Sequence, residues 1–119
     1  MISKKKANSY NHGVCGVYVE KTTLINDFNA KRNAKTIDDY EFIMNLYYSV
    51  ENMREEDFEF AERMGKRLTM KIRTPLVDTV LSNHKIIIDS LVYDIIRIDP
   101  NIKNRDLYLH LEGGRKVEK

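Results

Sequence analysis

Few residues of this chain stand in spacings that could do chemistry. His12-Gly-Val-Cys15 has the spacing of a metal pair or of a Cys/His couple. A structural zinc site needs about four ligands, yet His84 and His110 are isolated and Cys15 is the only cysteine. A nucleophilic Cys15 would need a base brought to it in space, and the stretch reads more simply as a turn at Gly13 and Gly16 leading into a strand. Adjacent carboxylates occur at Asp38-Asp39 and Glu55-Glu56-Asp57. The first pair reads as turn chemistry before a strand and the second group as negative charge on a helix N-terminus. General acid–base work instead needs two carboxyls held in a cleft with divergent proton affinities. No phosphate-binding glycine loop, dinucleotide fingerprint or zinc-protease motif occurs. The expectation is a protein that is not an enzyme, with no catalytic residues, metal ligands or cofactor.

Nucleic-acid chemistry has two candidate features, the Lys4-Lys5-Lys6 run and seven tyrosines, of which Tyr18, Tyr47, Tyr93 and Tyr108 fall on expected strands. Bases stack on aromatic platforms when these line a basic groove. Here 32% of residues are charged but the net charge is only +2, and the strands around the tyrosines carry acids as well as bases. Core and interface packing is the preferred use of the rings, and a solvated arm that of the lysines. The single cysteine fits a chain made in a reducing cytoplasm. No apolar run approaches the ~20 residues that span a bilayer, so no membrane partner is expected.

The elements that would position these residues follow from periodicity. Phe42, Met44, Leu46, Tyr48 and Val50 fall at every second position of Glu41–Asn52, predicting a half-buried strand. Asn52 and Glu55 then form a capping pair, and Gly65 stands where a left-handed residue ends a helix. The helix is predicted over about 53–64, with Met53, Phe60, Ala61 and Met64 as its core face. From Lys66 the period returns to two: Leu68, Met70 and Ile72 face one way, Arg67, Thr69, Lys71 and Arg73 the other, and Pro75 closes the strand. Gly16–Leu24 is predicted as the first strand. Lys85–Ser90 and Leu91–Asp99 are two more around a tight turn at Asp89-Ser90, with Pro100 breaking the second. Asp106–Glu112 is the last, with Leu107, Leu109 and Leu111 on one face. In 119 residues this makes one domain, 16–112. It is mainly β: a small antiparallel β-barrel or sandwich of about six strands with one short α-helix between two central strands. Residues 1–15 are expected to be a flexible basic arm and 113–119 a disordered charged tail.

The run YYSVENMREEDFEFAERMGKRLTMKIRT, with VYDIIRI and RDLYLHLE after it, resembles the head–tail connector family of long-tailed phages. These are head-closure, or stopper, proteins that sit between the portal-bound adaptor and the tail. The likeness covers roughly Val17 to Glu112. Its most specific parts are the helix between two strands, the Lys71-Ile72-Arg73 strand end, and the Tyr93-x-Ile95 and Leu107-x-Leu109 hairpin. It implies a virion protein at the head–tail interface that forms a homo-oligomeric ring, retains packaged DNA by obstructing the channel and docks tail proteins.

Two segments are candidates for the working parts. Ile25–Asp39 is long, aperiodic and charge-balanced, and loops of that length are usually functional or disordered. The resemblance makes it the channel plug, carried by Asn26, Asn29, Lys31, Arg32, Asn33 and Lys35. Thr74–Asn83 is too apolar for a solvated loop, with Leu76, Val77, Val80 and Leu81, and is expected to pack over a barrel end or dock on a neighbour. The reverse assignment, Thr74–Asn83 as plug and 25–39 as grip on the adaptor, is the alternative. From another class, a small nucleic-acid-binding barrel of the OB or Sm-like type is the competing function.

Overall fold

A computed structural model of the chain describes residues 10–21 and 34–117. Six strands, β1 (Gly13–Glu20), β2 (Tyr40–Glu51), β3 (Met70–Pro75), β4 (Lys85–Ile88), β5 (Leu91–Asn101) and β6 (Asp106–Lys116), form one antiparallel sheet, with helix α1 (Glu55–Arg63) between β2 and β3. The spatial order is β1-β2-β3-β6-β5-β4, and β4 pairs back onto β1, so the sheet closes into a barrel without edges. The fold class expected from periodicity is therefore what the chain adopts.

Alternation explains the interior. Cys15 and Val17 of β1, Leu46 and Tyr48 of β2, Ile72 of β3, Ile86 and Ile88 of β4, and Leu107, Leu109 and Leu111 of β6 point inward and are buried together. In β5 the inward residues run Tyr93, Ile95 and then Ile98, because a register shift between Ile95 and Arg97 inserts an extra step. That shift turns Ile96 outward, where it packs with Ala61 of α1 and Leu68. A second outer cluster joins Ala34, Tyr40, Val92 and Val117.

Several expectations need correction. In β2 the inward period holds at Leu46 and Tyr48, but Phe42 and Val50, toward the ends of a strand longer than the packed interior, are exposed. The helix is capped at Arg54, not Asn52: the Asp57 carboxylate accepts the Arg54 backbone N–H at 3.0 Å. Its buried residues are Asp57 and Ala61, with Phe60 half-buried, whereas Met53 and Met64 are 38% and 50% exposed. A nine-residue helix laid on the barrel wall touches it through its middle turn, and both methionines overhang. Gly65 has the left-handed backbone expected of it, at φ +69°. The β4–β5 turn places both Asp89 and Ser90 at positive φ, as two-residue hairpins require.

The domain boundaries also move. β1 starts at Gly13 and ends at Glu20, so it lies earlier than Gly16–Leu24. Tyr10 and His12 are docked on the barrel through hydrogen bonds to Asp106 and Val50, which removes 10–15 from the expected arm. Pro100 does not break β5; it pairs with Leu107, near the end of a strand whose other neighbour β4 is short. Gly113 and Gly114 do not end order. Both have positive φ and carry β6 through to Lys116, after which the Val117 N–H donates to the Ser90 carbonyl and its side chain is buried. Residues 113–117 are thus part of the barrel.

Candidate functional site

Two regions of the barrel bring sequence-predicted residues together: its polar wall beside α1, and its apolar mouth.

On the wall, alternation in β3 sends Lys71 and Arg73 outward while Ile72 goes in. Each cation meets carboxylates from other elements. Arg73 donates through Nε to Glu51 Oε2 at 3.0 Å and through Nη1 to Asp106 Oδ1 at 3.4 Å, and its guanidinium lies over the Tyr10 ring at 4.9 Å. The Tyr10 hydroxyl donates to the same Asp106 oxygen at 2.7 Å. Burial and that hydrogen bond push the Tyr10 phenol up to about 12. Lys71 pairs with Asp57 of α1 at 3.0 Å and sits 5.3 Å from the Tyr108 ring centre. Burial alone would raise the Asp57 carboxyl, but the Arg54 N–H and the Lys71 ammonium outweigh it and hold the group below its ordinary range. Between these pairs lies a polar cleft of about 340 Å³, lined by Glu51, Arg54, Lys71, Asp99, Asn101 and Tyr108.

Next to this network, His110 of β6 pairs in register with Lys71 and is 1% exposed, and its Nε2 has no hydrogen-bond partner among the described residues. Burial pushes this imidazole's proton affinity down, so it is neutral at pH 7. Two cations, Lys71 and Arg73, thus meet three carboxylates, Asp57, Glu51 and Asp106, and these contacts tie α1 and Tyr10 to the barrel.

The mouth is built from the chain leaving β3 and the β5–β6 turn. The Leu76 N–H donates to the Arg105 carbonyl at 2.9 Å, which lays residues 76–80 beside that turn. Val80 is buried and joins the interior cluster, with Leu76 and Val77 half-buried against it. His84 fixes the far end of the crossing, its Nδ1 accepting the Leu81 N–H at 3.1 Å. Of the docking-loop candidates Leu76, Val77, Val80 and Leu81, the first three therefore close the barrel end, and Leu81 projects at 55% exposure. Outside them runs an apolar groove of about 740 Å³, walled by Leu76, Val77, Val80, Ile98, Pro100 and Ile102.

Of the channel-plug candidates, Asn26, Asn29, Lys31, Arg32 and Asn33 lie outside the described residues. Lys35 is exposed, and its backbone N–H, like that of Thr36, donates to Asp39 Oδ2 in a tight turn that packs Ala34 and Tyr40 on the outer wall. The Lys21 N–H donates to the Asp39 carbonyl at 3.0 Å.

Cys15 and His12 do not form a couple. Cys15 points into the interior, where burial pushes its thiol up to about 11, so it is not a thiolate at pH 7. His12 is exposed, with Nδ1 accepting the Val50 N–H and its ring stacked on Tyr48. Among the described residues no three His, Cys, Asp or Glu side chains are grouped to hold a metal ion, and no helix is long and apolar enough to cross a membrane. Of the tyrosines, Tyr40, Tyr48 and Tyr93 are buried, Tyr10, Tyr18 and Tyr108 half-buried, and Tyr47 exposed.

No protein-family model matches the chain, and no curated protein matches its sequence. Sequence reasoning missed the wall network because charges at alternate positions of β3 read as a solvated face. The one available signal was the pair of cations in Lys71-Ile72-Arg73 lying just beyond an acidic helix.

Proposed function

We propose that the chain is a head-closure subunit of a long-tailed phage, working as one copy of a ring between the portal-bound adaptor and the tail. The observation that carries this reading is the short helix between β2 and β3 of a six-stranded antiparallel barrel, since a helix between two strands is among the most specific parts of the resemblance. The plug assignment of the loop 25–39 is what the resemblance implies. Copies of that loop around a ring would obstruct a channel together. A plug of balanced charge blocks DNA sterically without holding it by counterion release.

The test is genetic. Deleting the gene from the genome that encodes the chain should leave free tails and heads that have lost their DNA and do not join them, as seen by electron microscopy. Joined particles at normal yield would overturn the reading. Replacing Asn26–Asn33 by a short Gly-Ser link, leaving the Asp39-capped turn intact, should give heads that bind tails but lose DNA. Heads that no longer bind at all would make this segment a docking element instead. Purified protein titrated with single-stranded DNA should show no salt-sensitive binding; a steep salt dependence would favour a nucleic-acid-binding barrel.

A further inference from the structure

A contiguous apolar groove on a small domain marks a contact site, and the barrel carries such a groove together with an exposed aromatic side chain that complements it. The first is the mouth groove, whose outer wall ends in Ile102, 69% exposed on the β5–β6 turn. The same turn carries exposed Lys103 and Arg105 against one acid, Asp78, on the other lip. The second is on the solvent side of α1. Phe58 is 45% exposed there, with Glu55 three residues before it and Glu62 four after, and Glu59 beside them. At helical spacing Glu55 and Glu62 flank this aromatic knob, with Arg54 four residues before it. Asp57, by contrast, faces the barrel and is neutralised by Lys71.

The geometry points to a contact between copies of this chain, in which Phe58 of one enters the mouth groove of the next and Glu59 and Glu62 meet its Lys103 and Arg105. A molecule does not fill its own groove this way. α1 is fastened at Lys71 near the start of β3, the groove begins at Leu76 just past its end, and five residues of strand separate them by about 16 Å. Different patches on the two partners make the contact heterologous, so it propagates from copy to copy and closes only as a ring. A buried aromatic inside a rim of paired charges is the usual layout of a binding hot spot. The contact rests on the ring reading above for its biological setting, but its chemistry is testable without a virion.

Phe58→Cys combined with Ile102→Cys changes two exposed positions, and the native Cys15 is buried and does not compete. Under mild oxidation the double variant should give a disulfide-linked ladder of dimers, trimers and higher species. A control pairing Phe58→Cys with Glu41→Cys, an exposed position on β2, should not. Equal ladders, or none, would overturn the contact. Charge exchange gives a second reading. Glu59→Lys/Glu62→Lys and Lys103→Glu/Arg105→Glu should each lose self-association in sedimentation, and an equimolar mixture should regain it in alternating copies; no recovery on mixing overturns the pairing. A ladder from a chain whose gene deletion leaves normal particles would keep the contact and discard the head-closure role. Unjoined heads without a ladder would do the reverse.

Discussion

Gly65 and His110 show how much a single position can be asked to do. Gly65 ends α1 at φ +69° with no atom within 4 Å of where a Cβ would stand, so Gly65→Ala meets only the backbone cost of a left-handed residue. It should lower stability by about 1 kcal/mol in a denaturant titration; no change would mean the helix end readjusts freely. The glycine was legible in sequence because backbone chemistry is local. His110 was not, because its character comes from neighbours on other elements: Lys71 on β3, Asp57 on α1, and Arg97 and Asp99 on β5. Burial lowers its proton affinity and that of His84 below the ordinary 6.5, so on acidification the unfolded chain takes up these protons first. Stability is therefore whole above about pH 6.5 and falls below it, by at most about 1.4 kcal/mol per pH unit for each imidazole. Asp57, held below 3.8, adds a further loss only at still lower pH. Melting temperature should drop between pH 7 and 5, and His110→Gln should flatten that slope; an unchanged slope would place the loss elsewhere.

At the scale of elements, α1 is attached to the barrel less by grease than its sequence suggests. Helical spacing predicted an apolar face of Met53, Phe60, Ala61 and Met64, and only Ala61 is fully buried. The rest of the attachment is electrostatic. Asp57 bridges to Lys71, and the Arg97 guanidinium of β5 lies over the Phe60 ring at 4.6 Å. Phe60→Ala should then cost about 1–2 kcal/mol, below the 3–5 of a fully buried ring. Asp57→Asn keeps an acceptor for the Arg54 N–H but loses the ion pair, at about 1–3 kcal/mol. Thermal melts of the two variants check both figures, and a Phe60→Ala loss as large as for an interior Leu109→Ala would restore the apolar account. Strands were legible because a period of two survives in any partner arrangement. The helix face was not, since a short helix on a curved wall buries one turn.

For the whole molecule, periodicity supplied the class and the number of strands, but not their order. Nothing in the sequence marks β3 to pair with β6, or β4 with β1, because inward alternation looks the same whichever neighbour a strand has. The glycines at 113 and 114 hid the end of β6 for a related reason. Gly113 packs against the β5 backbone at the register shift between Val92 and Tyr93, which a single strand read alone cannot reveal. A chain shortened after Glu112 loses four strand residues and the Val117 anchor, and should be unfolded by circular dichroism at 25 °C; a cooperative melt would show that these residues are dispensable. The position of β6 also governs how the protein comes to exist. β6 lies between β3 and β5, so both flanking strands are made before their shared partner. From Pro75 to Lys116 the ribosome adds 41 residues, which at 5–20 residues per second leaves the β3 edge unpaired for roughly 2–8 s. Through that interval each nascent chain offers an open strand to its neighbours on the same message, and a holding chaperone that covers it would raise the yield of soluble protein.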